Sequence, residues 1–284
     1  MSPLDRTRLG IHLFVWGADW YDSGFDLARV LHHCRALGFA GVEFPWLERL
    51  PDATLRCGVA ALRAEGLWAT MSTALPPEAC LVDGERAAEA VEWLRVAAEA
   101  AAAIGSPVLA GPLLAPVGEL PGHAARGWET AADPLRRAAE HAASIGVQLC
   151  LEPLNRFETD TVNTLAQGAA VCRAVGPALR LLSDTFHQNI EEADPVGTLR
   201  AHLPWIGHAH FSENHRGPAG SGHIPWAQIV AALEAGAYGG RVVVEGFNGR
   251  VRALARATCI WRPVAASPDE FAERSALRLL ALMG

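Results

Sequence analysis

Leu149-Cys150-Leu151-Glu152-Pro153-Leu154-Asn155-Arg156-Phe157-Glu158-Thr159-Asp160-Thr161 carries an apolar run, begun at Val147, into a carboxylate and a proline. The run reads as a buried strand. Proline cannot donate to a sheet ladder, so the strand stops at Glu152. A carboxylate at that point stands at the carboxyl end of a strand, where α/β folds keep their active sites. A second acid, Glu158, follows in the loop. The ordinary alternative is an ion pair between Glu152 and an arginine such as Arg156.

Outward from this strand, the chain alternates short apolar runs with segments of helical spacing. Strands are expected over residues 9–16, 39–44, 67–73, 107–110, 147–151, 179–183, 205–211 and 241–244. Helices are expected over 25–37, 52–65, 84–104, 128–145, 162–175, a short one from Asp194, 225–235, and a final region over 251–282 broken near Pro263 and Pro268. Glycines close most of them, as at Gly38, Gly66, Gly105 and Gly146. Asp194-Pro195 has the aspartate cap and first-position proline of a helix start. Eight strands alternating with eight helices predict a (β/α)8 TIM barrel, α/β in class, as a single domain over residues 1–284. A doubly wound sheet would carry a Gly-rich loop after its first strand, and Trp16-Gly17-Ala18-Asp19-Trp20 is no such loop.

Three later strands repeat the pattern of Glu152. The sixth ends in Asp184, followed by Thr185, Phe186 and His187; the seventh ends in His210; the eighth ends in Glu245. In a barrel these ends are neighbours on one rim. Three carboxylates there repel each other unless a cation sits among them. One imidazole with three carboxylates is a hard, oxygen-rich donor set, suited to Mn²⁺, or to Mg²⁺ or Co²⁺, more than to a structural zinc. Singly, each residue has a plain explanation: a satisfied core histidine, a turn-capping aspartate. Recurrence at four consecutive strand ends is the signal. Around it stand Arg216 in a polar, glycine-rich loop expected to be mobile, His187 one turn past Asp184, His223, and Glu43 at the end of the second strand, for which a buried salt bridge is the ordinary reading. Trp16, Phe14 and Trp46 are candidates for a pocket lining.

Composition narrows the partners. The formal net charge is −7 and no basic cluster offsets it, which argues against nucleic acid. All 24 basic side chains are arginine, a compositional bias. No apolar run is long enough to span a membrane, and residues 1–10 lack the apolar centre of a signal peptide. A cytoplasmic protein is expected. The six cysteines form no C-x-x-C pair and read as isolated thiols.

The motifs resemble those of the D-tagatose 3-epimerase and D-allulose (psicose) 3-epimerase family, among the xylose isomerase-like barrels. The resemblance lies in Glu152-Pro153-Leu154-Asn155-Arg156-Phe157-Glu158-Thr159, in Asp184-Thr185-Phe186-His187-Gln188-Asn189-Ile190-Glu191-Glu192, and in His210, Ser212-Glu213-Asn214, Arg216-Gly217 and Gly222-His223-Ile224-Pro225-Trp226. It implies that Glu152, Asp184, His210 and Glu245 hold the divalent metal. It also implies that Glu158, His187 and Arg216 contact a ketose near its reacting carbons, and that the protein forms a homodimer or homotetramer. The eighth strand departs from the family in reading Val244-Glu245-Gly246-Phe247, with glycine where a serine is expected.

The expected reaction inverts C3 of a free ketose. The C3 proton, beside the C2 carbonyl, leaves only when an enediolate is stabilised. Glu152 and Glu245 come from different strands and can act on opposite faces, one removing a proton and the other returning one. The alternative is an aldose–ketose or hydroxypyruvate-type isomerase on the same metal site, moving hydrogen between C1 and C2.

Overall fold

Eight strands, all parallel, close on one another in chain order: β1 (Leu9–His12), β2 (Gly41–Pro45), β3 (Trp68–Ser72), β4 (Val108–Gly111), β5 (Gln148–Leu151), β6 (Leu179–Asp184), β7 (Ile206–Phe211) and β8 (Arg241–Val244). The last pairs with the first, Gly10 opposite Val243 and Ile11 opposite Val244. This computed structural model describes residues 4–120 and 127–283. The expected barrel is therefore present.

The helices are α1 (Leu27–Ala36), α2 (Asp52–Glu65), α3 (Ala87–Ile104), α4 (Ala132–Ser144), α5 (Leu165–Val175), α6 (Thr185–Glu191), α7 (Pro195–His202), α8 (Trp226–Ala235), α9 (Arg252–Ala257) and α10 (Pro268–Leu280). Gly66 and Gly105 end α2 and α3 in the left-handed region, as their place in the sequence requires. The Asp194 side chain accepts from the Gly197 amide at 2.9 Å and starts α7. No described helix is long and apolar enough to cross a membrane.

Two expectations are corrected. The first strand stops at His12, not Trp16. The His12 Nδ1 accepts the Phe14 amide at 3.0 Å, and that bond turns residues 13–15 into a single 3-10 turn. The expected helices include none directly after Asp184, yet Thr185–Glu191 forms α6. Asp184 caps it, accepting from the Phe186 amide at 2.6 Å and the His187 amide at 3.3 Å. A helix here aims His187 back at the rim.

Strand residues alternate between two environments. Leu109, Leu149, Leu151 and Leu181 join the large apolar layer under the helices. Val108, Ala110, Cys150 and Leu182 form a separate small cluster inside the barrel. Each fully buried aliphatic or aromatic side chain of the outer layer contributes about 1.5–3 kcal/mol. At the amino-terminal end, the Trp68 ring lies across the lumen. A Cβ on Gly41 would stand 1.9 Å from its Cδ2, so only glycine leaves room for the indole. The Arg241 guanidinium carbon sits 4.1 Å from the Trp68 ring centroid and completes a floor.

Candidate active site

Glu152 follows β5 and its amide bonds the Gly111 carbonyl at 2.9 Å. Glu245 follows β8 in the same way, bonding the Phe211 carbonyl at 3.0 Å. Asp184 closes β6 directly opposite His210 of β7. All four side chains are buried. Asp184, His210 and Glu245 each offer one ligand atom, and these lie within 4.8 Å of one another, a donor set compatible with a divalent metal. Asp184 also groups with Glu152 and His187 within the same limit. Asp184 thus links Glu152 to the other two members of the expected set.

The imidazole of His210 points its Nδ1 at these acids, 3.3 Å from Glu245 Oε1 and 4.0 Å from Asp184 Oδ2. Among the described residues, this buried nitrogen has no hydrogen-bond partner. A buried ring nitrogen left bare among carboxylates is what a cation would satisfy. The residues present therefore fit a divalent metal.

Arg216 and Glu158 also reach the rim. Arg216 has φ 60°, a left-handed backbone that is unusual for a side chain this large. Its Nη1 lies 2.5 Å from Glu245 Oε2, 2.9 Å from Ser212 Oγ and 3.5 Å from Asp184 Oδ2. The guanidinium is sandwiched, 3.8 Å from the Phe186 centroid and 5.0 Å from that of Phe247. The loop carrying it is tied down, contrary to the mobility expected from its glycines. Glu213 accepts from the amides of Asn214, Gly220 and Ile224 and from Trp226 Nε1, at 2.8–3.1 Å. Burial works to raise the Glu213 carboxyl, yet these donors hold it below its ordinary value.

The His187 Nδ1 accepts from the Asn155 amide at 3.0 Å, which leaves Nε2 as the nitrogen turned to the rim. That nitrogen faces Glu152 Oε1 at 3.7 Å and Arg216 Nη2 at 3.3 Å. Burial, reinforced by Arg216, pushes the ring well below the usual histidine range and keeps it neutral. Glu158 accepts from Asn155 Nδ2 at 2.8 Å, and burial raises its carboxyl. A cavity of about 630 Å³ opens outward from Asn155, Glu158, Phe186 and Arg216, with Ile260 and Trp261 on its far wall.

The two rim glutamates are pushed in opposite directions. Burial drives Glu152 well above the ordinary carboxyl range, and Glu245 and Asp184 add to the rise. Burial also acts on Glu245, but Arg216 and His210 outweigh it and hold that group below its ordinary value. Asp184 is raised to about 7, chiefly by burial.

Other sequence readings resolve as follows. Arg156 pairs with Glu191, at 3.0 Å through both Nε and Nη2, and not with Glu152. Phe14 stacks on His12 at 4.1 Å and touches Phe247, which places it in the rim wall. Trp16 instead donates to Asp269 of α10 at 2.7 Å, and Trp46 packs on Trp93. His223 bonds Asn189 at the surface. Glu43 does not make a simple salt bridge. It lies in the lumen, 2.6 Å from His208 Nε2 and 2.7 Å from His210 Nε2, with Thr70 donating at 2.6 Å. The spacing of Gly207-His208-Ala209-His210 puts both histidines on one strand face, a hint of this cluster. His12 belongs to it as well, 3.5 Å from Glu43 and 2.7 Å from Ser72 Oγ.

The profile of the xylose isomerase-like TIM barrel family matches residues 31–277. The chain is 36% identical over 264 residues to the L-ribulose 3-epimerase of Mesorhizobium japonicum, covering 90% of this chain and 87% of that one. A solved L-ribulose 3-epimerase superposes with a TM-score of 0.88 at 33% identity, over 99% of this chain and 95% of the other. A D-allulose 3-epimerase from Methylomonas sp., solved in complex with D-allulose, gives 0.87 at 28% identity, over 100% and 99%. By its closed barrel and its matching sequence, this chain belongs to the xylose isomerase-like TIM barrel family.

Proposed function

We propose that the chain is a divalent-metal-dependent ketose 3-epimerase, an isomerase acting on free ketoses through the four strand-end residues of one barrel. The single observation that carries this reading is the meeting of buried Asp184, His210 and Glu245, each from a different strand end, at one point of the rim, with Glu152 reached through Asp184. The likeness to L-ribulose and D-allulose 3-epimerases over nearly the whole chain supports the choice of C3.

Asp184, His210 and Glu245, with Glu152 beside them, would hold the metal, Mn²⁺ before Mg²⁺ or Co²⁺ for so hard a site. When bound, such a cation supplies Lewis-acid polarisation of the C2 carbonyl and charge stabilisation as the C3 proton leaves. The protein's own groups do the proton work. An ionised Glu245 takes the C3 proton from one face of the sugar. Glu152, whose carboxyl burial raises, gives a proton to C3 from the other. The C3–H bond broken and the C3–H bond formed balance, and the two carboxyls have exchanged protonation states. The opposite epimer runs the same steps in reverse. His187 Nε2–H and the Arg216 fork donate to the sugar oxygens where negative charge develops. Glu158 positions a hydroxyl of the sugar.

The test is product analysis with D-fructose, D-tagatose and L-ribulose in ²H₂O, after chelation and re-metallation with Mn²⁺. The expected result is the C3 epimer carrying deuterium at C3. An aldose product, with label at C1 or C2, would establish the aldose–ketose or hydroxypyruvate-type alternative instead. Glu152→Gln and Glu245→Gln should each lower turnover by at least about 10² with the fold intact, since positioned acid–base groups contribute about 10²–10⁴. Near-normal epimerisation by either variant would remove the two-carboxyl scheme.

A further inference from the structure

Below the rim, the lumen holds an acid that the proposed reaction does not use. Glu43 is fully buried, on β2, across the barrel from β7. Its two oxygens are divided. Oε1 lies 2.7 Å from His210 Nε2, and Oε2 lies 2.6 Å from His208 Nε2 and 2.6 Å from Thr70 Oγ1. A neighbouring imidazole is fixed independently. The His12 Nδ1 accepts the Phe14 amide, so its proton is on Nε2, facing Ser72 and Glu43.

Glu43, His208 and His210 could be taken for a second metal site, since one atom from each lies within 4.8 Å of the others. The separations argue otherwise. Two ligands sharing one cation at about 2.0–2.2 Å each stand roughly 3 Å or more apart. Contacts of 2.6 and 2.7 Å are hydrogen bonds with no space between the partners. Glu43 is an acceptor here, and each imidazole must therefore donate its Nε2–H.

For His210 that assignment has a consequence at the other end of the ring. With the proton on Nε2, Nδ1 carries a lone pair, and Nδ1 is the bare atom that faces Asp184 and Glu245. We propose that Glu43 is a positioning residue, whose carboxylate fixes the Nε2–H tautomer of His210 and so presents Nδ1 as a ligand to the divalent cation. The inference rests on the metal site proposed above. A carboxylate behind a ligating imidazole also increases its basicity, and loss of such a partner typically costs about 10–100-fold in metal affinity.

The discriminating substitution is Glu43→Gln. The amide keeps the shape but offers an N–H₂ to one of its two imidazoles. An imidazole that accepts from it must carry its proton on Nδ1, which for His210 occupies the ligand atom. Mn²⁺ affinity, measured by chelator competition, should weaken by about 10–100-fold. Thr70→Val is the control. It removes a bond to the same carboxylate yet leaves the His210 contact, so it can destabilise the lumen while Mn²⁺ affinity stays within about threefold. Melting of the metal-free variants separates loss of folding from loss of ligation. A ¹⁵N spectrum of the wild-type histidines with diamagnetic Mg²⁺ bound gives a readout that needs no variant: His210 should carry its proton on Nε2 alone. Unchanged affinity in Glu43→Gln, or an Nδ1–H tautomer in the wild type, would overturn this inference alone. Failure of the wild-type chain to bind Mn²⁺ would overturn the metal reading and this inference together.

Discussion

Arg216 shows how much one side chain settles. It lies between two aromatic faces, lies 2.5 Å from Glu245 and adopts a backbone that few side chains tolerate. Its charge helps hold Glu245 below its ordinary value, while burial raises Glu152. Arg216→Lys keeps the charge but loses the planar fork and the double stacking. It should lower kcat/KM by about 10², a size typical of displaced reacting groups, while circular dichroism stays unchanged. Activity within a few-fold of wild type would show that charge alone suffices. At this scale the sequence was readable where chemistry marks a strand end. Glu152, Asp184, His210 and Glu245 stand out because an acid or imidazole closes an apolar run. Glu43 also closes one, but its partners are 165 and 167 residues away. Only closure of the sheet brings β2 opposite β7, so its partners could not be named from local pattern.

Among the elements, the loop from β7 to α8 carries the greatest burden. Its glycines suggested mobility, yet Glu213 gathers three amides from it and the Trp226 indole from α8, and so fixes the arc on which Arg216 sits. Glu213→Ala should lower kcat/KM by about 10–10² through misplacement of Arg216, and the melting temperature should fall with it. A melting change with full activity would separate the loop from the site. The strand and helix rhythm was legible because glycine stops and apolar runs recur at regular spacing. Two boundaries were not. The end of β1 and the start of α6 are each set by one side chain, His12 or Asp184, accepting a nearby amide. That competition between side chain and backbone leaves no trace in hydrophobic period.

For the whole molecule, the dominant fact is a concentration of buried acid around one imidazole. In the metal-free chain, burial raises Glu152 well above its ordinary value and Asp184 to about 7. Burial opposes protonation of His210, but Glu43 and Glu245 outweigh it and raise that ring. A metal needs Asp184 and His210 without their protons, so binding must release protons and affinity must rise with pH. Between pH 6 and pH 8 the Mn²⁺ affinity should increase by at least about tenfold. Titration calorimetry in buffers of different ionisation enthalpy should register the released protons, and a flat profile would contradict the assignment. At a metal concentration about 1,000 times its Kd, binding adds about 4 kcal/mol of stability, which a chelator should remove as a lower melting temperature.

The indole of Trp68, wedged over Gly41 and covered by Arg241, corks the barrel at its amino-terminal end. The lumen is consequently a cul-de-sac. A ketose bound as proposed above would reach the rim past Phe186 and Trp261 and leave by the same side. Traffic of substrate, product and exchanging water is then governed by a single mouth, and bulk attached at that mouth would slow arrival and departure alike.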